Sequence, residues 1–150
     1  NLSVILKKGA AHAGEHDIDP SIFVAGRLFP DMFPLSRQVR IACDVSKGAA
    51  ARISGIEAPS FEDNESSFEE LLARTSKTID FLNSLPADKI NGTEAKEIKF
   101  QAGPYELDFT GATYLSMWAL PNIYFHVTTT YNILRHNGVA LAKLDYVGTP

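Results

Sequence analysis

The sequence predicts an all-α fold, a four-helix bundle with a small β-hairpin inserted before its last helix. Three observations lead there. Four stretches repeat apolar residues at three- and four-residue intervals over more than about 14 positions. The connections between them differ greatly in length, as in a bundle that contains a crossover. Only one stretch, residues 95–110, switches to the two-residue period of strands. A chain of 150 residues suits a single domain, 1–150, with one sizeable core and the hairpin at about 97–109.

Taken in order, Leu2, Ile5, Leu6, Ala10 and Ala13 mark a first amphipathic helix that ends near His16 and is weakened at Gly9. The chain opens at Asn1 inside that pattern and without Met, which implies residues upstream. Asp19-Pro20 is a cap-and-start signal for a short second helix, Pro20 to Leu28. Phe29-Pro30-Asp31-Met32-Phe33-Pro34 breaks it, because each proline removes an amide donor and restricts the residue before it. This loop is expected to fold back over one end of the core.

The second long helix runs from about Leu35 to Ser54 and closes at Gly55. Small residues dominate its inner face, among them Ala42, Cys43, Ser46, Ala49 and Ala50, so another helix can approach closely. After a loop from Glu57 to Asn64, the polar residues Ser66, Ser67 and Glu69 start the third helix, whose stripe is Phe68, Leu71, Leu72, Thr75, Ile79 and Leu82. Ser84-Leu85-Pro86 stops it. Ile98, Phe100, Tyr105, Leu107 and Phe109 then alternate with polar residues around Ala102-Gly103-Pro104. An isolated hairpin is marginal, so its aromatic side chains are expected to lie on the bundle. The last helix spans Gly111 to Gly138, and the tail 139–150 reads as irregular.

Composition excludes several classes of function. Apolar residues at 45% and charged residues at 21% describe a globular chain. A net charge of -4 with singly scattered Lys and Arg argues against a nucleic-acid surface, which needs clustered basic groups. The single cysteine, Cys43, allows no disulfide within the chain and reads as a buried structural thiol in a reducing, cytoplasmic setting. No apolar run reaches the roughly 20 residues of a membrane span, and no signal peptide is read.

Candidate chemistry concentrates on the last helix, which holds the only Trp, Trp118, together with Tyr114, Tyr124, Tyr131, His126 and His136. Pro121 predicts a bend just before Asn122 and a freed carbonyl near residue 117. Asn122 and His126 are four apart and share a face that continues through Thr129 and Thr130. His126 is either a core histidine with satisfied nitrogens or an acid or base in a pocket, with Tyr131 as a second catalytic candidate. Gln38 on the second long helix can turn inward to meet Asn122 or His126. Thr130 would extend this polar group, and Asp31, Arg37 and Tyr124 would stand at its mouth. His12 and His16 have the spacing of a helical metal pair but lie at a fraying helix end, and His136 suits a helix-terminal contact. No His-Glu-x-x-His, phosphate loop or Gly-x-Ser-x-Gly is present.

The phrases PDMFPLSRQVRIACDVSKGAAARISG and FTGATYLSMWALPNIYFHVTTTYNILRHNGV, with the spacing between them, resemble DUF1993, a family of uncharacterised proteins with the DinB/YfiT-like helical fold. The resemblance runs from about Leu2 to Tyr146. It implies an up-down-down-up bundle that is often a homodimer. The wider superfamily carries a nickel, zinc or iron site of three histidines, and the corresponding positions here fall near Gln38, Asn122 and His126. The chain thus keeps one histidine and places amides at the other two positions. Amides are weak ligands for zinc or nickel, so no cofactor is expected and a degenerate divalent-metal site stands only as an alternative. Superfamily members include thiol-dependent transferases and maleylpyruvate isomerase-like enzymes. The expectation is a small-molecule binding protein or enzyme with a polar pocket around His126. The alternative is a non-catalytic structural or interaction protein, and the residues assign no reaction.

Overall fold

Helix α1 (Leu2–Glu15) forms as its stripe predicts and buries Ile5, Leu6, Gly9 and Ala13. The computed structural model describes residues 1–148, so the end of the tail, 149–150, lies outside the described residues. Helix α2 (Pro20–Val24) starts where Asp19 accepts the Ser21 amide at 2.8 Å. It stops four residues short of the expected Leu28. The amides of Ala25 and Gly26 turn back onto Ser21 and Phe23, Gly26 O takes the amide of Leu35, and Arg27 donates to Met32 O at 2.6 Å. These bonds close residues 26–34 into a loop in place of further helix.

Helix α3 (Leu35–Ser54) ends at Gly55 in the left-handed conformation, φ 76°. Helix α4 (Phe68–Ser84) opens on a reciprocal cap between Ser67 and Glu70. Strands β1 (Glu97–Ala102) and β2 (Tyr105–Thr110) pair antiparallel, with Ile98 opposite Phe109 and Phe100 opposite Leu107. One helical turn, α5 (Gly111–Thr113), leads into a π-helical stretch, Tyr114–Ala119, and then into α6 (Leu120–His136). The tail is not wholly irregular. Val139 and Leu141 are buried, and a short α7 (Lys143–Val147) is tied to α1 by a 2.7 Å Lys8–Asp145 ion pair.

Contacts between the four long helices settle their directions. Gln38 meets His126 near one end of α3 and Arg52 meets Tyr114 near the other, so α3 and the last helix run antiparallel. Cys43 faces Thr75 while Arg40 reaches Glu65, just before α4, so α3 and α4 run parallel. The resulting order is the up-down-down-up bundle, and the parallel pair requires the crossover 55–67 to return along the bundle.

Arg74 holds that crossover down. Its side chain is 2% exposed, and it donates to Glu62 O at 3.0 Å, Glu65 at 2.8 Å and Asp44 at 2.8 Å, with Asp63 at 3.1 Å. Lys47 adds a bond to Pro59 O at 2.9 Å. Burial pushes Glu65 up, but the Arg74 and Arg40 guanidinium groups outweigh it and leave the carboxyl below its usual range.

The core is in two parts. The larger gathers Ile5, Leu6, Leu35, Val39, Leu71 and Leu134 with their neighbours. The smaller lies under the hairpin, where Ile98, Tyr114, Ala49, Ile53 and Ala119 are buried and Phe100, Phe109 and Trp118 pack against them. The expectation for the hairpin aromatics thus holds for the two phenylalanines. Tyr105, beside the turn, is 68% exposed.

Candidate functional site

Pro121 acts on the helix upstream of itself. The preceding turn widens into a π-helical stretch in which the Leu120 amide bonds Leu115 O, five residues back. The Trp118 carbonyl, just ahead of the proline, receives the Asn122 side-chain amide at 2.6 Å. Asn122 is thereby engaged on a carbonyl of its own segment, and among the described residues it makes no hydrogen bond to Gln38.

Four residues on, His126 turns toward α3 and is buried. Its Nδ1 lies 2.7 Å from Gln38 Oε1, and Gln38 Nε2 donates to the Phe33 carbonyl at 3.2 Å. The second bond fixes the orientation of the amide, since a flipped Gln38 would set its oxygen against Phe33 O. Gln38 therefore presents an acceptor, and His126 must carry its proton on Nδ1. Nε2 is left with a lone pair, has no partner among the described residues, and is not sealed from solvent. Burial lowers the histidine pKa below its ordinary 6.5, which favours this neutral form near pH 7.

The ring borders a cleft of about 220 Å³ lined by Asp31, Met32, Phe33, Gln38, Phe125 and His126. Phe125 stands edge-on to the imidazole, with centroids 5.2 Å apart. Arg37 lies over Phe33, 3.7 Å from the ring centroid, and so sits at the rim. Of the residues singled out in the sequence, Asp31, Gln38 and His126 meet at this cleft, with Arg37 beside it. Thr130 lies beneath, fully buried, with its hydroxyl on the His126 carbonyl at 2.9 Å. Tyr124 is 55% exposed and lines a different groove with Leu2, Val127 and Tyr146. Tyr131 bonds Leu141 O at 3.3 Å and packs on Tyr146, away from the cleft. Five residues beyond His126, it points about 140° away around the helix.

Met32, Phe33 and Phe125 were not foreseen as lining residues. The signal for the first two was the aromatic loop expected to fold over the core end. Elsewhere, Cys43 is buried as expected, and burial pushes its thiol pKa up. The rings of His12 and His16 lie 4.1 Å apart and are tilted by 34°, and His136 is exposed at the end of α6.

The donor set does not fit the three-histidine metal site of the superfamily. Gln38 is bonded to His126 and Phe33, Asn122 is turned to Trp118, and one imidazole nitrogen remains. Among the described residues no group of three or more His, Cys, Asp or Glu is placed to hold a metal.

Residues 1–147 match the family model described as "Domain of unknown function (DUF1993)". The chain belongs to the DUF1993 family. Its fold is similar to the crystal structure of a DinB family member protein from Shewanella denitrificans, at a TM-score of 0.88 and 36% identity over 99% of this chain and 84% of that one. That likeness gives this DUF1993 protein its affinity with the DinB/YfiT-like superfamily. A comparison with curated proteins finds no match.

Proposed function

We propose that this DUF1993 protein binds a small, partly apolar molecule in the cleft beside His126, with His126 Nε2 as the hydrogen-bond acceptor or base. The observation that carries the reading is the pair of bonds from Phe33 through Gln38 to Nδ1, because it leaves Nε2 as the acceptor of a neutral imidazole that lines the cleft. Met32, Phe33 and Phe125 supply apolar walls, and Asp31 and Arg37 offer charges for orientation. The ligand class that suits this arrangement carries an O–H or N–H donor on an apolar body.

A fragment screen by ligand-observed NMR tests it. Hits should be donor-bearing rings, and His126→Ala should abolish them while circular dichroism stays unchanged. A folded His126→Ala protein that retains every hit would remove the proposal. The second reading is a structural or interaction protein in which the same bonds only pin the 26–34 loop to the bundle. Its support is the Gln38 bond to Phe33 O, which ties loop to helix whether or not a ligand binds. A homodimer belongs to either reading, and light scattering that returns the mass of one chain would remove it.

A further inference from the structure

We propose that Asn91 is a self-modification site: in the loop ahead of the hairpin it converts to aspartate and isoaspartate, and the isoaspartate loosens the seat of that loop on the start of the last helix. The chain holds two Asn-Gly pairs, Asn91-Gly92 and Asn137-Gly138. Glycine has no side chain to shield its amide nitrogen, so in either pair that nitrogen can attack the Cγ of the preceding asparagine. The fold treats the two pairs oppositely.

Asn137 is held on both reacting sides. Its Nδ2 donates to Ile133 O at 2.7 Å, and the Gly138 amide donates to Arg135 O at 3.2 Å. The next amide, that of buried Val139, bonds Leu134 O at 3.1 Å. Attack there requires the end of α6 to open first. Asn91 and Gly92 are both exposed, at the two central positions of a turn in which the Thr93 amide bonds Ile90 O at 3.3 Å. Among the described residues neither the Asn91 side chain nor the Gly92 amide has a hydrogen-bond partner. Gly92 sits at φ 82°, with no atom within 4 Å of the place a Cβ would take, so the turn has room to rotate into attack.

The step balances with water alone. The Gly92 nitrogen gives up its proton and bonds Asn91 Cγ, the Cγ–Nδ2 bond breaks, and ammonia leaves behind a five-membered succinimide. Water then opens the ring. Cleavage of the new N–Cγ bond gives aspartate, whereas cleavage at the backbone carbonyl gives isoaspartate, whose main chain runs through the side-chain methylene. Both products add a negative charge, and only isoaspartate lengthens the backbone. That lengthening falls between two anchors. Ile90 packs on the smaller core cluster, and Thr93 O occupies the space a side chain on Gly111 would need. The Glu94 carbonyl takes the Ala112 amide at 3.0 Å just beyond.

Trypsin separates the two pairs, one on peptide 90–96 and the other on peptide 136–143. The full chain, held in mildly alkaline buffer and sampled by peptide mass spectrometry, should gain the amide-to-acid mass difference on 90–96 at least about tenfold faster than on 136–143, and in urea the two rates should draw together. Asn91→Gln, which would have to close a six-membered ring, should end the conversion of 90–96. The aged acidic fraction should lose its Trp118 transition at lower urea than Asn91→Asp, which carries the same charge on an ordinary backbone. A rate at Asn91 no higher than at Asn137 in the folded chain, or an aged fraction that unfolds together with Asn91→Asp, would overturn the proposal.

Discussion

At the scale of single residues, the pair Gln38–His126 makes a pH prediction whose sign follows from burial. Folding lowers the histidine pKa below 6.5, whereas the unfolded chain takes up the proton at that ordinary value. Below pH 6.5 the unfolded state therefore binds more protons. The stability contributed by neutral His126 is complete above that pH and is lost as pH falls through the lower folded value. Asp31 lines the same cleft, and Arg37 lies over Phe33 beside it. Melting temperatures of wild type and His126→Gln, compared from about pH 8 to about pH 5, should converge toward the acid end. A constant difference would show that His126 does not titrate with folding. The Gln38–His126 contact was legible because each residue adjoins an apolar stripe on a helix whose direction the bundle sets. The place of Asn122 was not, because a local carbonyl at Trp118 competes for its amide and no pattern of hydrophobicity reports that bond. Tyr131 misled for a simpler reason: aromatic hydroxyls were grouped by proximity in sequence, and helical phase separates them.

At the scale of elements, the crossover 55–67 has no buried apolar residue, and Arg74 should dominate its attachment. Glu65 is 9% exposed and faces both Arg74 and Arg40, whereas Asp63 is 63% exposed and contributes little. Arg74→Leu leaves a buried carboxylate with one of its two cations and frees the Glu62 carbonyl. The expected loss is about 3 kcal/mol in urea unfolding. A loss below about 0.5 kcal/mol would mean that the loop is held by Phe61 and Pro59 instead. The four long helices were legible from their stripes and caps, and Ser67 with Glu70 is a cap readable from sequence alone. Arg74 was not read as an anchor although it interrupts the α4 stripe between Leu71 and Thr75, opposite an acidic loop. Short elements were the hardest. The ending of α2 depends on loop bonds to Leu35 and Met32, and α7 is too short for a period to show.

At the scale of the whole molecule, the divided core sets an expectation for how the protein comes apart. Among the described residues, the hairpin end buries five residues in its cluster, against fourteen in the cluster beside His126. Its other packing partners, Phe100, Phe109 and Trp118, are only half-buried, and the helix it leans on is π-helical there. With so much less apolar area removed from water, this end should open first. Trp118 is the only tryptophan and lies in the weaker cluster, between Phe100 and Phe109, so its fluorescence reports that end selectively. Helical circular dichroism reports mainly α1, α3, α4 and α6. In a urea titration the Trp118 transition should therefore precede the loss of helix, and the β1 and β2 amides should exchange faster than those at 126–134. The opposing influence is α3, which runs through both clusters, with Val39 and Cys43 in one and Ala49 and Ile53 in the other. If the two optical transitions coincide, α3 couples the ends strongly enough that the bundle and its hairpin unfold as one cooperative unit.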